Sequence, residues 1–195
     1  IEKCRQSMGG HGYSVYSGLP KLYNDWVVQC TWEGDNTVLA MQCGKALVSV
    51  QFSSKKSIGT DFSIKSISAA LDKIFEIEVK WIQQKCKEQN KKEVFEEYSS
   101  KLVFIASIYF HLHLFDSFAE VCEKNAKIPA LSDLCLLFGL VTVQKFSGQA
   151  LATGIWSLEY FSGIDELISN LLRRIRPHAL RLVDSFGYSD FIVNS

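Results

Sequence analysis

The sequence predicts an all-α protein: a helical bundle preceded by an irregular, glycine-rich N-terminal segment. Three observations lead there. Beyond about residue 64, apolar residues recur in steps of three and four, the period of a helix with one buried face. Proline and glycine bound these stretches, as Pro129 and Gly148 do on either side of Leu131–Phe146. β-prone sequence is confined to one short run, "DWVVQCTW" (25–32).

In chain order, residues 1–35 are rich in glycine, tyrosine and serine. From Thr37 the pattern turns helical, with Val38, Met41 and Leu47 on one face. Asp35 or Asn36 is placed to cap that helix by accepting a bond from a free N–H of its first turn. "SSKKSIGTDFS" (53–63) has the composition of a linker. Ile67, Leu71, Ile74, Glu78 and Trp81 then form a stripe with one lapse, at Glu78. Tyr98, Leu102, Ile105, Tyr109 and Leu112 form another inside a stretch from about Lys92 to Asn125. A third helix covers Leu131–Phe146. A fourth begins after Ser162 or Asp165, carries Leu167, Ile168, Leu171 and Leu172, and ends near Arg176 and Pro177. A short fifth, "HALRLVDSF", closes at Gly187. The helices after residue 63 are expected to pack as an antiparallel bundle.

The charge balance, 21 basic against 21 acidic residues, advertises neither nucleic acid nor an anionic membrane as partner. The basic clusters "KCKEQNKK" and "RRIRPHALR" sit beside helical patterns and read as solvated faces and ends. The six cysteines form no C-x-x-C and no short pairing, so neither a zinc site nor a disulfide framework is expected; Cys122 and Cys135 read as core side chains. No signal peptide is visible, and no membrane span is expected. The nearest apolar run, "ALSDLCLLFGLVTVQ", is interrupted by Asp133. The chain starts at Ile1 in mid-pattern and stops at "FIVNS", which reads as part of something longer.

The chemistry concentrates between Cys4 and Gln42. "GGHG" (9–12) lets a backbone approach a ligand closely and adopt positive φ; it serves equally as a tight turn, with His11 a turn or core histidine. Glu33 stands between Trp32 and Gly34, just before a helix start. A carboxylate in partly apolar surroundings has its charged form disfavoured and becomes a usable base near neutral pH. Gly34 leaves room for a substrate beside the main chain, and Asp35, Asn36 and Thr37 offer polar groups and N–H donors to ligand oxygens. The alternative is that Glu33 and Asp35 simply complement the helix dipole.

"CRQSMGGHGYSVYSGLPKLYNDWVVQCTWEGDNTVLAMQ" closely resembles the acyl-CoA oxidase segment C-R-x-x-x-G-G-H-G-Y … C-T-[YFW]-E-G-[ED]-N-[TN], in wording nearest to the fungal members. "LLRRIRPHALRLVDSFGYSDFIVNS" is similar to the family's C-terminal region. The resemblance implies the C-terminal portion of a flavoenzyme. The complete enzyme, a homodimer, oxidises fatty acyl-CoA to trans-2-enoyl-CoA in peroxisomes, with molecular oxygen reoxidising FAD and releasing hydrogen peroxide. It places the catalytic base on Glu33 and the thioester oxygen on the Glu33 main-chain N–H beside Gly34. FAD contacts fall on Gln6, Gly9, Gly10, His11, Gly12, Asp35, Asn36 and Thr37. Residues 1–55 then form the incomplete end of the first helical domain, and 56–195 a second C-terminal helical domain.

The family's N-terminal helical domain and middle β-domain have no counterpart in this sequence, so the chain by itself is expected to be inactive. "VNS" is not a peroxisomal tripeptide. An acyl-CoA dehydrogenase passing electrons to a protein acceptor is the rival enzyme, although Y-E-G-T is its usual wording. A non-catalytic helical interaction module is the rival from another class.

Overall fold

The computed structural model describes residues 1–52, 56–59 and 61–189. Among these residues there is no strand; twelve helices and three 3-10 turns account for the order. Two compact units are present among the described residues, one of Ile1–Leu39 with residues 186–189, the other Ala40–Ser185.

The first unit holds α1 (Glu2–Ser7), α2 (Gly10–Tyr13) and α3 (Leu19–Val27), with 3-10 turns at Val15–Ser17 and Val28–Cys30. The β-prone run is therefore helical over most of its length. Leu19, Leu22, Tyr23 and Trp26 recur at helical spacing, Gly18 enters α3 in the left-handed region (φ 71°), and Pro20 sits in its first turn. That amphipathic pattern outweighs the β preference of Val27 and Val28, which is worth little without a partner strand.

The larger unit is built on α5 (Ile64–Glu88), α7 (Ser99–Lys124), α8 (Pro129–Lys145) and α11 (Ile164–Ile175), with α5, α7 and α8 packed on one another and α11 against α8. Ile67, Leu71, Ile74, Leu102, Ile105, Phe115, Leu140, Ile164 and Leu171 are fully buried between them. The sequence stripes thus face the core over most of their length, whereas Trp81, Leu172 and Val38, expected on apolar faces, are exposed. Ser63 caps α5 by accepting from the Ser66 N–H (3.2 Å), and Asn90 caps α6 (Lys91–Glu97) through the Lys92 N–H (2.9 Å). The stretch expected to be helical from Lys92 to Asn125 is two helices, broken at Tyr98, where ψ swings to 31°. Two short helices escaped the periodicity reading besides those of the first unit: α9 (Ser147–Ala152) and α10 (Leu158–Ser162), each too brief to show a period. α4 (Asn36–Ser49) and α12 (Ala179–Asp184) complete the set, with Gly187 beyond α12 at φ 70°.

The lapse at Glu78 has a partner. Its carboxylate is buried and ion-paired to Lys101 on α7 at 2.6 Å, and the same ammonium lies 4.6 Å from the centre of the Trp81 ring. Buried Glu76 is held by Lys73 (2.6 Å) and Lys80 (2.5 Å), whose hydrogen bonds keep its carboxyl below the usual range. Cys122 and Cys135 are buried, and burial pushes the Cys135 thiol up to about 12.

By length and composition one helix among the described residues is apolar enough to cross a membrane, and it is α7 rather than the run in α8. Its buried stripe, Leu102 to Cys122, packs against α5 and α8. The linker sequence lies partly outside the described residues (53–55 and 60), and so does the expected boundary at residue 55. Beyond it, Lys56 bonds Asp116 (2.6 Å) and Ser68 (2.7 Å), tying this stretch to α7 and α5.

Among the described residues of the first unit, Gly12 is the one that is buried. Amide exchange should follow that difference: slow amides in α5, α7 and α8, fast exchange from Gly9 to Pro20. Hydrogen exchange read by mass spectrometry checks this, and uniform protection from residue 4 onward would contradict it.

Candidate active site

The first motif is built on α1. Glu2 accepts from Arg5 through Nε (2.8 Å) and Nη2 (2.6 Å), and from Gln6 Nε2 (2.7 Å). These bonds, that from Arg5 foremost, bring the Glu2 carboxyl down to about 2. Gln6, a candidate flavin contact, is thus exposed and engaged with Glu2. Arg5 carried no role in the sequence reading; the i, i+3 spacing of Glu2 and Arg5 was the available signal.

Gly9 turns the chain at φ 56° and α2 follows. The four residues of the turn divide by surroundings. A Cβ at Gly9 or Gly10 meets nothing within 4 Å, and His11 is exposed, so all three present accessible backbone or side chain. Gly12 differs: it is buried, and a Cβ there would run into the Arg5 carbonyl group. Close packing of α2 on α1 explains that glycine without a ligand.

The second motif lies between the Val28–Cys30 turn and α4. Gly34 donates to the Thr31 carbonyl (3.1 Å) and has φ 124°, a conformation that L side chains rarely adopt. Asp35 Oδ1 accepts from the N–H groups of Thr37 (2.9 Å) and Val38 (3.1 Å). Of the two candidate caps, Asp35 is the one used, and Asn36 is the first helical residue. The Thr37 N–H is consequently committed to Asp35 rather than offered to a ligand.

Glu33 is exposed, and so is Trp32 beside it, with 63% of its surface open to solvent. The expectation of partly apolar surroundings for this carboxylate is not met by this chain. Trp32 turns its surface outward, and no described segment buries the acid. Any desolvation of Glu33 must come from a molecule laid over it.

Two motifs, one with open glycine backbone and one with an exposed acid at a capped helix start, are thus present in one unit. Comparison with known proteins decides their kinship. The acyl-CoA oxidase profile matches residues 63–195, and the profile of the acyl-CoA oxidase C-alpha1 domain matches residues 1–48. The chain belongs to the acyl-CoA oxidase family. Acyl-coenzyme A oxidase 1 of Yarrowia lipolytica is 33% identical over 226 residues, covering 100% of this chain and 33% of the relative. The crystal structure of acyl-CoA oxidase 3 from the same yeast superposes with a TM-score of 0.91 at 30% identity, covering 100% of this chain and 32% of that one. Acyl-CoA oxidase-1 of Caenorhabditis elegans, described as complexed with FAD and ATP, shares the fold (TM-score 0.87, 22% identity). The chain spans about a third of the length of these relatives, matching their C-terminal part.

Proposed function

We propose that this chain is the C-terminal portion of a flavin-dependent acyl-CoA oxidase converting fatty acyl-CoA to trans-2-enoyl-CoA, with Glu33 as its base. The observation that carries the reading is the Glu33–Asn36 turn: an exposed carboxylate just outside α4, on a backbone fixed by Gly34 and by the Asp35 cap. Family membership supports it.

In this reading Glu33 removes the proton from the α-carbon, while its own main-chain N–H holds the thioester oxygen and stabilises charge developing there. Base and donor belong to one residue, so their spacing is set by covalent geometry. The open backbone at Gly9 and Gly10, exposed His11, and Asn36 at the start of α4 fit the polar edge of FAD. FAD, when bound, supplies the acceptor for the β-hydrogen and passes the electrons to oxygen, releasing hydrogen peroxide. Gln6 and Asp35 enter the same proposal with part of their capacity occupied by Glu2 and by the α4 cap; Gly12 enters it only through its backbone. Domains 1–55 and 56–195, a peroxisomal location and a homodimeric complete enzyme complete it.

The test is a complete oxidase carrying this chain as its C-terminal third. Acyl-CoA should reduce its flavin anaerobically and yield one peroxide per enoyl-CoA in air. Turnover only with a protein electron acceptor would identify a dehydrogenase, and no flavin reduction at all an interaction module.

The glycine turn gives a separate expectation. A Cβ at Gly10 meets open space, so Gly10→Val should leave the helix content of this chain unchanged. In the complete enzyme it should cut flavin content at least several-fold, because the branched side chain fills the approach to FAD. Full flavin content in the purified variant would reduce the turn to a structural role.

A further inference from the structure

In the larger unit, α10 and the loop before it line a cavity of about 920 Å³ together with α5 and the residues leading into it. That volume is in the range of small-molecule sites. Ile58, Phe62, Ile77 and Ile155 make its wall apolar. The rings of Phe62, Tyr160 and Trp156 stand in series, with centroids 4.2 Å and 4.6 Å apart. Most of the polar groups in the lining are committed. Thr153 donates to the Gln149 carbonyl (2.7 Å), Ser162 to that of Glu159 (2.7 Å), and Tyr160 to that of Asp61 (3.1 Å). Ser157 caps α10 by accepting from the Tyr160 N–H (3.3 Å). The indole of Trp156 is different. The residue is 5% exposed, its Nε1 is buried, and the described residues offer that N–H no acceptor. A buried donor left without a partner is costly, so an acceptor belongs beside it.

The charge at the wall selects the acceptor. Lys73 gives one N–H to buried Glu76 (2.6 Å), and Lys80 gives another (2.5 Å). One carboxylate thus serves two ammonium groups, and the trio keeps a net positive charge. Lys73 retains two further donors. Glu159, the other charged residue of the lining, is exposed. We propose that this cavity binds an apolar monocarboxylate of the fatty-acid kind. Its carboxylate accepts from the Trp156 indole N–H and balances Lys73, and its hydrocarbon lies against Phe62, Ile77 and Ile155. A water molecule would satisfy the indole, but it would neither cover the apolar wall nor balance the ammonium. The inference does not depend on the reaction proposed for Glu33, which belongs to the other unit.

The experiment titrates the 195-residue chain with decanoate, below its critical micelle concentration, by isothermal titration calorimetry. Saturable binding of one decanoate per chain is expected. 1-Decanol, equal in length and uncharged, should bind about ten-fold more weakly, the effect of losing a charge-assisted contact. Lys73→Met should raise the decanoate Kd by about the same factor, and so should Trp156→Phe, which keeps a ring and removes the N–H. Glu76 retains Lys80 in the Lys73→Met chain, so its circular dichroism should match the parent. Lys87→Met, exposed near the end of the same helix, should leave the Kd unchanged. Absence of binding overturns the inference, as does 1-decanol binding as tightly as decanoate. An unchanged Kd in Lys73→Met, or in a folded Trp156→Phe, overturns it too, since decanoate then coats exposed apolar surface elsewhere. Lys73→Met decides the question by itself if Trp156→Phe unfolds the chain.

Discussion

Glu33→Gln in a complete oxidase bearing this chain should lower acyl-CoA turnover by about two to four orders of magnitude, the usual range for a positioned general base. Glutamine keeps the length and shape of the side chain and loses the proton acceptor. Gly34, whose φ of 124° fixes the neighbouring backbone, is unchanged, as is the Asp35 bond to Thr37 and Val38. The main-chain N–H of residue 33 therefore stays where it was. Flavin content and acyl-CoA binding should remain near normal while anaerobic flavin reduction slows by the same factor as turnover. Because Glu33 is exposed in this chain, the isolated variant should melt with the parent. Turnover within ten-fold of the parent would remove Glu33 from the mechanism.

Gly44→Val should be the most damaging single change to the larger unit. A Cβ at Gly44 lies 2.7 and 2.9 Å from the carbonyl carbon and Cα of Leu102, closer still to its carbonyl oxygen. Real Cβ contacts do not occur at such distances, and the obstacle is main chain in the 26-residue α7, not a side chain that can swing away. α4 and α7 must separate, opening the site where Leu102 is fully buried. Overpacking of this kind costs about 3 kcal/mol, or roughly 6–12 °C in Tm for a chain of this size. Gly148→Ala is the control, since a Cβ there meets nothing within 4 Å. It should hold or slightly raise Tm by improving helix propensity. A Gly44→Val protein melting within 1 °C of the parent would disprove the close approach.

These two positions show how unevenly the molecule is legible. The long helices were readable because one face of each is buried: Ile67, Leu71 and Ile74 announce α5, and each is fully buried. Asp35 was readable as a cap because capping is local, an oxygen reaching N–H groups two and three residues ahead. Glu33 could be singled out by its neighbours, but its environment could not. Trp32 next to it in sequence suggested an apolar setting, and the structure turns that indole into solvent.

The sequence by itself determined the all-α class, the order of the main helices and membership of the acyl-CoA oxidase family. Each rests on local spacing: a three-to-four-residue period, a cap, or a contiguous motif. The tertiary structure decided what those residues meet. It assigned Gly12 to helix packing against the Arg5 carbonyl, gave buried Glu78 its cation on α7, and brought Gly44 onto the Leu102 backbone. It also left Leu22 and Trp26 exposed. These outcomes depend, except for the first, on side chains more than 20 residues apart in sequence or on surface that only packing covers. One-dimensional periodicity specifies which face of a helix is apolar, whereas the identity of the body against that face is a property of the folded whole.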